Sequence, residues 1–264
     1  MKWHNEYKVH YYYTDYNNIL KPGYIAKYMQ ETAWNALKAW GPAPGYLKGN
    51  NLAFILSKIS FRYYREIRED DEIKVETWAV PPSRSVIFVR NYRIYKGGET
   101  AAEASSAWAL MDIKEKSILK PEALGDNFKG FDDEVLDFAV QKRIAIPNTI
   151  PEGPAERREY REYREYKVRY ADIDTNFHMN NVAYIDLISE CLYNEGEKMS
   201  PDLKKRVMSI DLNYNSEAVF GDVIGIDKVV NKPGKLGDCE EIYLEGRVKT
   251  AEKTCFEAKA VIKV

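Results

Sequence analysis

The sequence predicts an α+β protein built twice over, each half one long helix wrapped by an antiparallel β-sheet. Three observations predict it. The chain of 264 residues repeats itself: Glu6-Tyr-Lys-Val-His-Tyr11 returns as Glu165-Tyr-Lys-Val-Arg-Tyr170, at an offset of 159 residues. Each half holds one stretch of helical period. Each half then runs through about four β-rich or alternating stretches.

The repeat extends well beyond its opening. An offset of 151 sets Ile59 on Ile210, Tyr63 on Tyr214, Glu66 on Glu217 and Asp71 on Asp222. An offset of 154 sets Arg93 on Arg247 and Glu103-Ala104 on Glu257-Ala258. A drift of a few residues is what loop insertions and deletions between equivalent elements produce. The boundaries that follow are an N-terminal half over 1–120, a linker over 121–159 and a C-terminal half over 160–264.

In the first half Pro22 suits a first helical turn, and Ile25, Tyr28, Met29, Thr32 and Ala36 follow at helical spacing. Gly41-Pro42 ends that helix. Strands are expected over Phe54–Tyr64, Ile73–Val80, Val86–Tyr95 and Ala101–Ile113. In the second half Asn180 or Asn181 caps a helix carrying Ile185, Ile188 and Leu192, and Gly196 stops it. Strands follow over Arg206–Tyr214, Val223–Val230, Glu240–Lys249 and Cys255–Val264. Arg68–Asp71, Lys96–Gly98 and Phe220–Asp222 suit hairpin turns. The linker carries four prolines, with a short helix expected around Glu134–Val140. A sheet with one apolar face and a single long helix must wrap around that helix.

Composition excludes several function classes. A formal net charge of −2 leaves no electrostatic footprint for nucleic acid. No apolar run reaches the length of a membrane span, and the N-terminus lacks the apolar core of a signal peptide. Cys191, Cys239 and Cys255 are widely spaced, with no metal-binding pattern. They read as reduced thiols, and the cytoplasm is the expected location. No metal and no cofactor are expected. Twenty tyrosines suit half-buried strand faces.

Chemistry points to the stretch Asp172-Ile-Asp174-Thr-Asn176-Phe-His178-Met-Asn180-Asn181. Asp174, Asn176 and His178 alternate on a loop that runs into a helix N-terminus, where free N–H groups favour developing negative charge. An acid, an amide, an imidazole and a helix start are parts for acyl transfer. The competing reading is an Asx turn that merely caps the helix. The repeat bears on the choice: Asp174 falls on Asp15 and Asn176 on Asn17, but His178 falls on Ile19. Turn formation gives the imidazole no purpose. Glu217, at the end of a strand, is the second candidate; its distance from His178 is open at this stage. Cys191, on the apolar side of its helix, reads as a core thiol. Trp34 and Trp40 read as core residues, and the Arg157–Lys167 charge run as a solvated strand face.

These residues carry a resemblance. Asp172 through Ile185 resembles the second-half signature of the acyl-acyl-carrier-protein thioesterases, the fatty-acid chain-terminating enzymes of plants and bacteria. Met29-Gln-Glu-Thr-Ala33 resembles their first half, and the likeness covers most of the chain, duplication included. It implies a tandem double hotdog, two helix-in-sheet halves packed as a pseudo-dimer. It implies hydrolysis of the thioester joining a fatty acyl chain to acyl carrier protein. It implies catalytic roles for Asp174, Asn176, His178 and Glu217, with Glu217 or Asp174 as general base. The helix N-terminus at Asn180, Asn181 and Val182 would meet the substrate, and the acyl chain would lie between helix and sheet in the N-terminal half. Plant members carry a cysteine directly after the glutamate. Ala218 stands there in this chain, so a cysteine nucleophile at that position is not general. Two alternatives are an acyl-coenzyme A thioesterase of the same architecture and a non-catalytic acyl-binding protein. The expected partner is the acyl carrier protein, and the chain a monomer or homodimer.

Overall fold

The structure, a computed structural model, describes residues 1–82, 86–138, 144–147, 160–193, 198, 200, 203, 205–231 and 239–264. The chain divides into two compact units, Met1–Val140 and Gln141–Val264.

The first unit runs β1 (Trp3–Lys8), α1 (Pro22–Trp40), α2 (Pro44–Gly49), β2 (Leu52–Tyr63), β3 (Glu72–Val80), β4 (Ile87–Lys96), β5 (Glu99–Asp112) and β6 (Ser117–Leu119). Its strands lie in the order β1-β3-β4-β5-β2, antiparallel throughout, with β6 on β5. Helix α1 begins with Pro22, whose missing N–H costs nothing in a first turn. It ends where the Gly41 N–H bonds the Leu37 carbonyl at 2.9 Å. Ile25, Met29 and Ala36 are buried on its inner face, and the strands bury Phe61, Val75 and Ile94. Apart from Ala36, each such side chain contributes about 1.5–3 kcal/mol when removed from water.

The second unit runs β7 (Tyr160–Lys167), α3 (Asn181–Cys191), β8 (Arg206–Tyr214), β9 (Val223–Asn231), β10 (Cys239–Val248) and β11 (Lys253–Lys263). Its order is β7-β9-β10-β11-β8, again antiparallel. Taking equivalent strands in turn, this is the order of the first unit. Helix α3 buries Val182, Ile185, Ile188 and Cys191. Tyr184 packs edge-on against Tyr214 and Phe256.

Several expectations change. No helix forms over Glu134–Phe138, and residues beyond that lie partly outside the described ones. The segment from Pro121 to Phe138 is not a free linker, because it is bonded onto the first unit. The Trp78 indole donates to the Glu134 carbonyl at 2.7 Å, Arg93 pairs with the Glu134 carboxylate at 2.7 Å, and Leu124 and Leu136 are buried. Its one helical piece is a 3-10 turn at Pro121–Asn127. Trp34 is 44% exposed and so not core, whereas Trp40 meets Trp3 edge-on. The expected stop at Gly196 lies outside the described residues; α3 ends at Cys191.

Candidate active site

The loop from β7 into α3 holds the sequence candidates, and its backbone repeats the equivalent loop of the first unit. The Asp174 N–H bonds the His178 carbonyl at 3.1 Å, as Asp15 bonds Ile19 at 2.8 Å. The Phe177 N–H bonds the Asp174 carbonyl at 3.1 Å, as Asn18 bonds Asp15 at 3.0 Å. Asp174 Oδ1 accepts the Asn176 N–H at 2.8 Å, and Asp15 Oδ1 accepts that of Asn17 at the same distance. The turn reading is therefore right for the backbone of both loops. It leaves the side chains unexplained.

Three differences from the first unit bear on the chemistry of the second loop. His178 replaces Ile19. Its Nδ1 lies 3.4 Å from the Met179 carbonyl and 4.0 Å from Asp174 Oδ1, within ion-pair range of a protonated ring. No described residue takes its Nε2. Asn180 replaces Lys21, and its side chain does two things. Its Oδ1 accepts the Val182 N–H at 2.8 Å and caps α3; its Nδ2 donates to Asp174 Oδ2 at 3.3 Å. The imidazole, the Asp174 carboxylate and the helix start are thus linked in sequence.

The third change concerns Glu217. The Met179 N–H bonds the Ala218 carbonyl at 2.8 Å, as Leu20 bonds Ile67 at 2.7 Å. That bond sets the backbone of Glu217-Ala218 beside the histidine loop. In the first unit the equivalent Glu66 is held by the Arg68 guanidinium at 2.5 Å. Val219 stands where Arg68 would, so Glu217 is exposed and has no hydrogen-bond or ion-pair partner among the described residues. Among the described residues no hydrogen bond or ion pair joins its carboxylate to His178; the Met179–Ala218 backbone bond links the two segments. Asn176 is exposed, and its side-chain amide is likewise unengaged among the described residues.

The helix N-terminus is narrower than expected as a donor set. The Val182 N–H is taken by Asn180 Oδ1, and the Asn180 N–H by the Asp172 carbonyl at 2.8 Å. The Asn181 N–H is unengaged among the described residues. The Asn181 carbonyl accepts the hydroxyl of partly buried Tyr214 at 2.9 Å, which fixes the start of α3.

Asp172 was missed as a site element. It is 5% exposed, and its carboxylate accepts the Tyr166 hydroxyl at 2.6 Å, the Arg169 N–H at 2.7 Å and the Arg169 guanidinium at 2.9 Å. Burial works against its charge, but hydrogen bonds from Arg169 and Tyr166 outweigh it and hold the carboxyl below the usual range. Burial, then the bond to Asp172, pushes Tyr166 up to about 12. The sequence carried a signal: Asp172 falls on Tyr13 in the repeat, so the acid is peculiar to the second half. Cys191 is 2% exposed and burial raises its thiol to about 11, which keeps it protonated. No group of side chains able to hold a metal occurs among the described residues.

Fold and site together define a class: a tandem of two hotdog units, one of which carries an acid, amide and imidazole loop at the start of its helix. The chain belongs to the acyl-ACP thioesterase family. The N-terminal domain model of that family matches residues 1–123 and its C-terminal domain model residues 155–258. The chain is 26% identical over 232 residues to oleoyl-acyl carrier protein thioesterase 1, chloroplastic, of Arabidopsis thaliana, covering 81% of this chain and 59% of that protein. It is 24% identical over 183 residues to acyl-[acyl-carrier-protein] hydrolase FATB1, chloroplastic, of Cuphea viscosissima, covering 64% and 41%. The chain thus spans about half the length of the curated relatives it matches. Among solved structures, an acyl-ACP thioesterase of Bacteroides thetaiotaomicron superposes with a TM-score of 0.77 at 18% identity, covering 99% of this chain and 98% of that one. The 12:0-ACP thioesterase of Umbellularia californica gives 0.75 at 16%, covering 99% and 94%. These likenesses bear out the double hotdog fold.

Proposed function

We propose that the protein hydrolyses the thioester between a fatty acyl chain and acyl carrier protein, releasing the free fatty acid. One observation carries the reading beyond family membership. The half matched by the C-terminal domain holds an imidazole nitrogen, a carboxylate and a backbone N–H, all unengaged among the described residues, on two loops joined by a backbone bond. The other half has neither the imidazole nor the free carboxylate.

Water attacks the thioester carbonyl while Glu217 takes one of its protons. Asp174 is not the base in this reading, because both its oxygens already hold partners. The negative charge that develops on the carbonyl oxygen is received by the Asn181 N–H at the helix start, with the Asn176 amide as a second donor. As the carbon–sulfur bond breaks, protonated His178 gives its Nε2 proton to the leaving thiolate. The proton on Glu217 then restores the imidazolium through solvent. Asp174, 4.0 Å from Nδ1, stabilises the charged ring. Three unbridged cysteines agree with a reducing compartment, and we place the reaction in the cytoplasm.

The test is fatty-acid release by the purified protein from matched acyl-carrier-protein and acyl-coenzyme A substrates. The carrier-protein substrate is expected to be preferred. His178→Ala and Glu217→Gln are each expected to lower kcat by about 10²-fold or more, the order general acid–base catalysis supplies. Near-normal turnover by both folded variants refutes the assignment.

A further inference from the structure

The two loops of the site carry a feature their twins lack. Phe177 adopts φ 67°, in the left-handed region that bulky side chains avoid, and its ring is 82% exposed. Phe220, in the turn after Glu217, is 65% exposed and Val219 beside it 46%. The equivalent residues of the first unit are Asn18, Glu69 and Arg68. Asn18, at φ 59°, is a residue type that tolerates that conformation.

The first unit also gives the register. Leu20 bonds Ile67, Ile19 pairs with Arg68, and Asn18 Oδ1 accepts the Glu69 N–H at 3.4 Å. Met179 and Ala218 make the bond that Leu20 and Ile67 make, which sets the loop holding Phe177 beside the turn holding Phe220. The two rings are not packed on one another. Where the inert half is polar and self-bonded, the half with the imidazole holds an open apolar pair in water. An exposed aromatic pair on a strained turn costs stability and gains nothing within the chain.

We propose that Phe177, Val219 and Phe220 form a lip that docks the carrier protein, gripping an apolar patch on its surface as it presents the thioester. The inference rests on the hydrolytic reading above for the identity of the partner. The position argues for this occupant. Phe177 directly precedes His178, and Val219-Phe220 follow Glu217 by two and three residues. Side chains exposed beside His178 and Glu217 stand where the carrier that brings the thioester to those residues must approach. Aromatic anchors beside a site are the residue types that carry protein–protein affinity.

The test uses the double variant Phe177→Asn, Phe220→Ala; asparagine is the residue the twin loop uses at the same φ, so folding is retained. Tyr11→Ala, which removes an exposed aromatic of the first unit, is the control. Binding is measured to a carrier protein bearing an amide-linked, non-hydrolysable acyl chain, and turnover on the acyl-carrier protein and on the acyl N-acetylcysteamine thioester. The double variant is expected to raise Kd and KM for the carrier substrates about tenfold or more, as loss of two anchors does. Its kcat, and its kcat/KM on the short thioester, are expected to stay near wild type, and Tyr11→Ala to change nothing. Equal losses on both thioesters, or no change in carrier binding, overturn the lip. So does lip-dependent binding to phosphatidylglycerol vesicles with unchanged carrier binding. A wild-type protein that binds the amide carrier through the lip yet hydrolyses neither thioester refutes the hydrolytic reading and upholds the lip. Hydrolysis of the short thioester with lip-independent carrier binding refutes the lip alone.

Discussion

Asp172→Asn probes how the loop of the site is held. The native carboxylate receives three donors at 2.6, 2.7 and 2.9 Å. Hydrogen bonds to a charged group are worth about 1.5–3 kcal/mol each. The Arg169 side chain is 66% exposed, so its share is discounted to a few tenths of a kcal/mol by solvent screening. The Tyr166 hydroxyl and the Arg169 N–H remain as the main terms. Both bond the same oxygen, Oδ2, so an asparagine with its amide oxygen there keeps them as uncharged bonds and turns its NH₂ toward the exposed guanidinium; the expected loss, the charge assistance of two bonds, is about 1–2 kcal/mol. Because the folded carboxyl is held below its usual range, its contribution is full above about pH 4 and is lost as pH falls through the lower folded value. The gap between wild type and variant should therefore be widest near neutral pH and shrink in acid. Urea unfolding followed by circular dichroism at several pH values measures it. All five tryptophans lie at or before residue 108, so tryptophan emission would report only the first unit. The Asp172 carbonyl still accepts the Asn180 N–H in the variant, so activity at low temperature should survive. A loss below about 0.5 kcal/mol at neutral pH, or a gap unchanged at pH 3, refutes the argument.

Two further outcomes follow from the repeat and the packing. Asp15→Asn should leave kcat/KM within roughly twofold, because asparagine can still accept the Asn17 and Ile19 N–H groups and the first unit has no imidazole there; a loss like that of His178→Ala would place chemistry in the wrong half. Gly246→Ala should lower the stability of the second unit by about 1–3 kcal/mol in a thermal melt, since the new Cβ would fall 2.1 Å from a ring carbon of fully buried Phe256.

Most strands and both long helices were legible because their signals are local. Period-2 runs, Pro22 at a helix start and the Gly-containing turns act over a few residues, and each of the eight strands given a span lies within about two residues of it, whereas the short β6 and α2 were not expected. The repeat supplied the topology, since two halves of matching pattern must solve the same wrapping problem. What was not legible depended on distant partners. Glu134 looked like part of a short helix by its neighbours alone, but the Trp78 indole and the Arg93 guanidinium hold it extended against the first unit. Trp34 looked like core by residue type, whereas the burial of α1 falls on Ile25, Met29 and Ala36. At the site, His178 and Glu217 were named from the sequence. The state of Glu217 was not, because it depends on a neighbour two residues on that is arginine in one half and valine in the other.

The repeat also decides what the acid and amide of the loop are for. Asp174 accepts the Asn176 N–H as Asp15 accepts that of Asn17, so that contact cannot be what distinguishes the second half; the bond from the Ile19 N–H to Asp15 Oδ1 has no counterpart there among the described residues. The difference lies in what was removed and added around an unchanged turn. Losing the arginine at Val219 releases a glutamate, and gaining Asn180 ties Asp174 to the helix start while the ring of His178 comes within ion-pair range of the same carboxylate. Phe177 in place of a turn-tolerant asparagine adds strain and exposed apolar surface. The freed glutamate and Phe177 cost stability taken alone, while Asn180 caps α3 and offsets part of that, and all three fall together on two loops joined by one backbone bond. A fold under selection for stability alone would have kept the first unit's version in both halves, and the concentration of costs in the second is what the proposed site there requires.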